Sequence, residues 1–252
     1  MWFSNHNWMA RLAIKLGIFY ALIMPGTAQA QAWQCRAPAN LQRPQIEIAE
    51  PEQIRRVPIG GYVLALSWSR EYCKSKNGKG MQCDGSIGDF GFILHGLWPE
   101  AKGPDYPQYC RKAAVLPREV VSQNICMTPD VQLLQHEWAK HGTCMARTPQ
   151  AYFKAARLMY GAIDFPDMDR LSRQYKDSKY KKGKPLTVRG LAAAFAANNE
   201  GLRADAIRVQ TNERGWLKEI RVCLGKNFRP RDCPTFVKGA RDAAEVKIWR
   251  GS

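Results

Sequence analysis

Histidine is scarce in this chain. It has four in 252 residues, at His6, His95, His136 and His141. Other absences narrow its class. None of its eight cysteines forms a C-x-x-C pair, the close spacing that structural zinc sites favour. The H-E-x-x-H peptidase motif is missing too. His136-Glu137 opens like it, but His141 follows five residues on instead of four. In an α-helix five residues turn through about 500°, which leaves the two imidazoles about 140° apart and argues against a zinc peptidase. After the N-terminus no stretch is long and apolar enough to cross about 30 Å of hydrocarbon. There is no internal repeat and no low-complexity tail.

Acidic residues are also few, 22 against 38 lysines and arginines, for a net charge of +16. Such a balance speaks to partners rather than to fold. RNA, DNA, an anionic glycan and a membrane surface all fit it, and so does a basic protein that merely stays soluble. The apolar fraction of 45% is enough for a core, and the length suits one sizeable domain or two small ones.

The first thirty residues read as an export signal. Arg11 and Lys15 precede an apolar run from Leu16 to Met24, broken at Pro25-Gly26. Ala28-Gln29-Ala30 then supplies an A-x-A cleavage site, with Ala30-Gln31-Ala32 as a second choice. The cysteines fit export: Cys35, Cys73, Cys83, Cys110, Cys126, Cys144, Cys223 and Cys233 all follow the cut, and an even set in an exported chain reads as a disulfide framework. The expected divisions are a signal peptide over 1–30, an N-terminal extension over 31–58 and a catalytic domain over 59–252. The protein is then periplasmic or secreted.

Tyr62 to Trp68 reads as a central strand. Phe90 to Leu94 reads as a second strand that delivers His95 at its end, with Gly96-Leu97-Trp98-Pro99 turning the chain away. Cys73 to Gly88 reads as a loop pinned by its cysteines. Thr128-Pro129-Asp130 predicts a helix start with Thr128 as cap. That helix runs to about His141 and stops at Gly142. Further helices are expected over 149–160 and 188–197. Ala206 to Gln210 and Trp216 to Cys223 read as paired strands joined by a turn at Asn212-Glu213-Arg214-Gly215. Strands flanking a helical middle predict a single α+β domain.

His136, Glu137, Lys140 and His141 fall within six residues. Residues four apart share a helix face, so Glu137 pairs with His141 and His136 with Lys140. One helix can thus aim four ionisable groups at one cleft. His95 adds a second imidazole near neutral pKa. Two imidazoles suffice to cut RNA without a metal: one deprotonates the ribose 2′-OH, the other protonates the leaving 5′-oxygen. Lys140 and a protonated His136 would stabilise the charge on the phosphorane. Glu137 would position an imidazole or share a proton with the phosphate. No cofactor is expected.

Phe92-Ile93-Leu94-His95-Gly96-Leu97-Trp98-Pro99 resembles the first active-site segment of the ribonuclease T2 family, and His136-Glu137-Trp138-Ala139-Lys140-His141-Gly142-Thr143-Cys144 resembles the second. Leu64-Ala65-Leu66-Ser67-Trp68 resembles the family's opening strand. The likeness runs from about Gly60 to the C-terminus and leaves out the extension and Cys35. It implies an antiparallel sheet packed with helices. It also implies an endoribonuclease of low base specificity, acting through a 2′,3′-cyclic phosphate on single-stranded RNA. His95, Glu137 and His141 match the catalytic positions, with His141 preferred as base and His95 as acid, in an order left open. Lys140 matches a transition-state residue and His136 a phosphate-binding one. Trp98 matches a base-binding aromatic, with core packing as its alternative role. The family's pairings imply Cys110–Cys144 and Cys223–Cys233. Cys73–Cys83 is plausible beside them, and Cys35–Cys126 is what remains. RNA is the expected partner and a monomer the expected state. The basic run from Arg170 to Lys184, with Arg173, Lys176, Lys179, Lys181 and Lys182, either holds distal phosphates or is a solvated face. A non-catalytic exported binder of nucleic acid or glycan is the rival reading; intact His95 and His141 count against it.

Overall fold

The run from Gly61 to Trp68 is apolar on both faces, so it needs cover on both. In the computed structural model it is β2 (Gly61–Trp68), the inner strand that β4 (Phe92–Glu100) and β6 (Leu217–Leu224) flank. The structure describes residues 32–33, 35–75, 78–173 and 184–251. The expected signal segment and Lys176, Lys179, Lys181 and Lys182 of the basic run lie outside them. With β5 (Ile207–Thr211) the sheet has the order β4-β2-β6-β5 and is antiparallel throughout. A small second sheet pairs β1 (Ala32–Trp33) with β3 (Asp89–Phe90). Among the described residues no helix is long and apolar enough to cross a membrane.

Helices cover one face of the sheet. The short α1 (Ser69–Lys74) continues directly from β2, and α2 (Arg118–Asn124) buries Val120 and Val121. Further along come α3 (Val131–Glu137), a π turn (Trp138–Gly142) and α4 (Thr143–Met145). Next are α5 (Pro149–Gly161), capped by Thr148, and α6 (Val188–Asn198), capped by Thr187. Leu64, Leu66 and Trp68 of β2 meet Phe92, Leu94, Tyr152, Leu191 and Phe195 in one core. Phe92 is its hub, stacked on Phe165 and edge-on to Phe195. The opposite face carries Val63, Cys223, Cys233 and Val237 as a small separate cluster, and the rest of that face is the cleft.

The eight cysteines form Cys35–Cys126, Cys73–Cys83, Cys110–Cys144 and Cys223–Cys233. The first ties the extension to the end of α2. The extension lies along the domain through this bridge, the β1–β3 pair and a backbone exchange between Arg55 and Gln108.

Three local expectations need correction. The second strand does not end at His95: it begins at Phe92 and runs through Gly96 and Trp98 to Glu100. Asp130, not Thr128, caps α3, its carboxylate accepting from the backbone N–H groups of Gln132 and Leu133. Thr128 instead donates its hydroxyl to the Leu94 carbonyl at 2.6 Å, tying the helix start to β4. Gly142 does not stop the helix, which continues to Met145. A side chain there would press on Trp138 and Tyr152, at 2.5 and 2.9 Å.

Candidate active site

His95 owes its direction to a fault in the ladder. Leu94 pairs with Leu66 and Gly96 with Ala65, so His95 is an extra residue opposite no partner. Such a bulge puts two successive residues on one face instead of alternating them. Ile93, His95, Gly96, Trp98 and Glu100 thereby share the cleft face. Phe92, Leu94 and Leu97 keep to the core.

The second half of the site comes from the helix, and there too a fault sets the direction. Over Trp138–Gly142 the helix widens to a π turn, which advances each residue less than the α-helical 100°. His136 and His141 are therefore not splayed as an α-helix would leave them: their ring centroids are 6.5 Å apart. The carbonyls of the widened turn find other donors. Tyr109 N–H bonds to Lys140 O at 2.8 Å, and the Thr143 hydroxyl to Ala139 O at 2.8 Å.

The two halves meet around Glu137, which is buried. Its Oε2 accepts from the Trp98 indole N–H at 2.8 Å, and its Oε1 lies 3.7 Å from His95 Nε2. The Trp98 ring sits between the two imidazoles, edge-on to His95 at 5.0 Å and stacked on His141 at 5.4 Å. The Arg221 guanidinium lies 5.1 Å from the same ring. His95, Trp98, His136, Glu137, Lys140 and His141 all line one open cavity of about 400 Å³. A second cavity of about 640 Å³ adjoins it, sharing His95 and Arg221. So all six expected side chains converge. Arg173 and Lys184 of the basic run are exposed and line neither cavity.

Residues that the sequence reading missed complete the site. Glu219 Oε2 accepts from His95 Nδ1–H at 2.6 Å and from the Ser67 hydroxyl at 3.2 Å. Glu219 Oε1 accepts from Arg221 Nε–H at 2.7 Å. Glu100 and Tyr106 also line the catalytic cavity. From the extension, Glu47 reaches His136. A signal for Glu219 and Arg221 was present. Glu219 and Arg221 are charges at alternate positions of Leu217–Leu224 and fall on one face, and that face is the cleft.

The environments drive the two catalytic histidines apart. Burial opposes the charge on His95, but the Glu219 hydrogen bond and the charges of Glu137 and Glu219 outweigh it, so its pKa is raised. For His141, burial and then the charges of Lys140, His136 and His95 act together, and its pKa falls well below the ordinary value. Burial lifts the Glu137 carboxyl to about 7. Glu219 is pulled below the usual carboxylate range: burial would raise it, and the His95 bond and the charges of His95 and Arg221 prevail. Among the described residues, Glu137 Oε1 and His141 Nδ1 are two of seven buried side-chain atoms without a hydrogen-bond partner. No group of three or more His, Cys, Asp or Glu among the described residues is arranged to hold a metal ion.

Comparison with known proteins places this geometry. The model of the Ribonuclease T2 family matches residues 59–233. A probable ribonuclease of Haemophilus influenzae is 34% identical over 135 residues, which is 48% of this chain and about half (49%) of that protein. A ribonuclease of Aeromonas hydrophila is 31% identical over 174 residues, 66% of this chain and 71% of that protein. The crystal structure of RNase NT in complex with 5′-AMP superposes with a TM-score of 0.53 at 21% identity, over 76% of this chain and 98% of that one. At that identity the shared property is the fold.

Proposed function

The chain belongs to the ribonuclease T2 family, whose members are endoribonucleases, and from this premise we propose that it cuts single-stranded RNA by metal-independent transphosphorylation. The observation that carries the reading is the opposed environment of two imidazoles on one cavity. The surroundings favour the neutral form of His141, as a base requires, and the protonated form of His95, as an acid requires. In this reading His141 takes the proton from the ribose 2′-OH. The 2′-oxygen attacks phosphorus, and the bond to the 5′-oxygen breaks as His95 Nε2 donates its proton to it. The product is a 2′,3′-cyclic phosphate. In the slower hydrolysis that follows, the roles reverse: His95 activates water and His141 protonates the 2′-oxygen, leaving a 3′-phosphate.

The neighbours serve these two. Glu219 fixes His95 with Nδ1 as the donor, so that Nε2 faces the reaction, the logic of a carboxylate behind a catalytic imidazole. Glu137, with its carboxyl near 7, can hold or return a proton at a phosphate oxygen. Lys140 supplies positive charge to the phosphorane, and His136 adds to it when protonated. Trp98 holds Glu137 through its N–H and gives the cavity an aromatic wall for a base. A wall recognising π faces rather than base edges would confer low base specificity. Residues 59–252 form the catalytic domain in this proposal, 31–58 its extension and 1–30 a cleaved export signal. The four disulfides fit a periplasmic or secreted protein, which we take to act as a monomer.

The deciding experiment is incubation with single-stranded RNA in excess EDTA and identification of the ends. Expected are 2′,3′-cyclic phosphates, with matched DNA untouched. A folded, oxidised protein that leaves RNA intact from acidic to neutral pH would refute the proposal.

A further inference from the structure

The extension precedes the segment that the family model matches, yet one of its side chains reaches His136, a residue of the catalytic cavity's wall. Glu47 Oε1 and Oε2 lie 2.9 and 3.1 Å from His136 Nδ1. The same Oε1 accepts from the Tyr109 hydroxyl at 2.7 Å. This contact is built from several directions. One turn before His136 on α3, Gln132 clamps the extension's backbone: its Oε1 accepts from Gln45 N–H at 2.9 Å, and its Nε2 donates to Gln45 O at 3.3 Å. That clamp sets the register that places Glu47 beside His136. The segment is fixed on both sides, by Cys35–Cys126 and by the Arg55–Gln108 exchange at 3.0 Å. Tyr109, which presents its hydroxyl to Glu47, holds φ at +50°. That conformation is costly for a non-glycine residue and persists only where surroundings enforce it.

We infer that Glu47 is a positioning residue for His136: its carboxylate accepts the Nδ1–H and fixes that tautomer, so that the proton the ring takes up goes to Nε2, whose N–H then binds phosphate in the cavity. A histidine has two distinct nitrogens, and the partner of one decides what the other offers. A carboxylate behind the ring also favours the imidazolium, the form that donates to an anion. It works against burial and against the positive charges of Lys140 on the same helical segment and His95 on β4, with His141 facing from the π turn. Burial and these charges prevail, so the His136 pKa lies below its ordinary value, and Glu47 is the group that limits the fall and lets the ring take up a proton when an anion binds. The inference rests on the proposed phosphate-binding role of His136.

The test uses the oxidised full chain and inorganic phosphate as the probe. Ring ¹⁵N shifts of His136 are followed against pH and phosphate in wild type, Glu47→Gln, Glu47→Ala and, as a neighbour with an exposed side chain, Ile48→Ala. In wild type the Nδ1–H tautomer is expected. Glu47→Gln keeps an acceptor without charge, so the tautomer persists while the titration moves to lower pH. Glu47→Ala loses both, and phosphate binding weakens by roughly tenfold, the low end of what losing the carboxylate behind a metal-binding histidine costs. KM for RNA rises more than kcat falls, and Ile48→Ala changes neither. Unaltered His136 titration and phosphate affinity in both Glu47 variants would overturn the inference. The phosphate and tautomer readings need no turnover, so they judge Glu47 separately from a wild type that fails to cut RNA.

Discussion

Gly96→Ala tests the bulge directly, because it adds one methyl group at the point where strand and helix meet. The new Cβ would stand 1.8 Å from Glu137 Oε2, 2.6 Å from the Glu137 carboxyl carbon and 2.6 Å from Trp98 Nε1. Favourable contact begins near ~3.5 Å, so the carboxylate or the strand must retreat by more than about 1 Å. Glu137 has no room to yield: its side chain is 2% exposed and tied to Trp98. A displacement of about 1 Å in a catalytic constellation costs roughly 10²-fold, or about 2.7 kcal/mol of barrier. Overpacking should remove about 1–3 kcal/mol of stability besides. The assay is kcat/KM on a dinucleotide RNA, with thermal unfolding alongside. Gly103→Ala is the control, since nothing lies within 4 Å of its Cβ position. If Gly96→Ala keeps kcat/KM within about threefold of wild type, the account of strand, bulge and Glu137 is wrong.

Other outcomes follow from the same geometry. His95→Ala and His141→Ala should each lower kcat by about 10²- to 10⁴-fold while the circular dichroism spectrum is kept; near-full activity in either would remove it from the proton transfers. Glu137 binds its proton more tightly folded, at about 7, than unfolded, so it costs stability as pH rises from about 4.5 to 7, by up to about 3 kcal/mol. Denaturant titrations across that window should show a slope that Glu137→Gln flattens. Glu219 has the opposite sign: its stabilisation is present above the unfolded carboxylate range and lost as pH falls below it, and Glu219→Gln should weaken the acid limb of unfolding. Removing Cys35–Cys126, which closes a 91-residue separation, should cost about 4 to 5 kcal/mol by loop entropy. Removing Cys73–Cys83, with a separation of 10, should cost about 2 to 3 kcal/mol. Equal losses in thermal or denaturant unfolding would count against that ordering.

Much of the site was legible because it is local. Leu94-His95-Gly96 and Glu137-x-x-Lys140-His141 each place their chemistry within a few residues. The hairpin at Asn212–Gly215 was legible for the same reason: Asn212 accepts from the N–H groups of Arg214 and Trp216, and Gly215 takes φ +79°. What escaped depends on pairing across the chain. The bulge at His95 exists only relative to Ala65 and Leu66 of β2, so a strand read alone ended too early. Glu219 and Ser67 become partners through the antiparallel register of β2 with β6. Glu47 is reached only after a disulfide and a glutamine clamp have laid the extension down. The π turn was hidden because helical periodicity assumes one pitch throughout, and that assumption produced the angle between His136 and His141.

That turn sets the helix's tolerance to length. A π turn is an α-helix carrying one residue too many, absorbed without breaking the rod. In ordinary α-helix a deleted residue swings everything beyond it by about 100°. Here the surplus is already absorbed, so deleting one residue between Glu137 and His141 would let the rod close into ordinary α-helix with Cys144 turned by much less than that. What would change is the seam itself: His136 and His141 would become an i, i+4 pair on one face, and Glu137 would stand three residues from His141 instead of four. The surplus residue therefore sets the spacing of the site's side chains rather than the course of the helix.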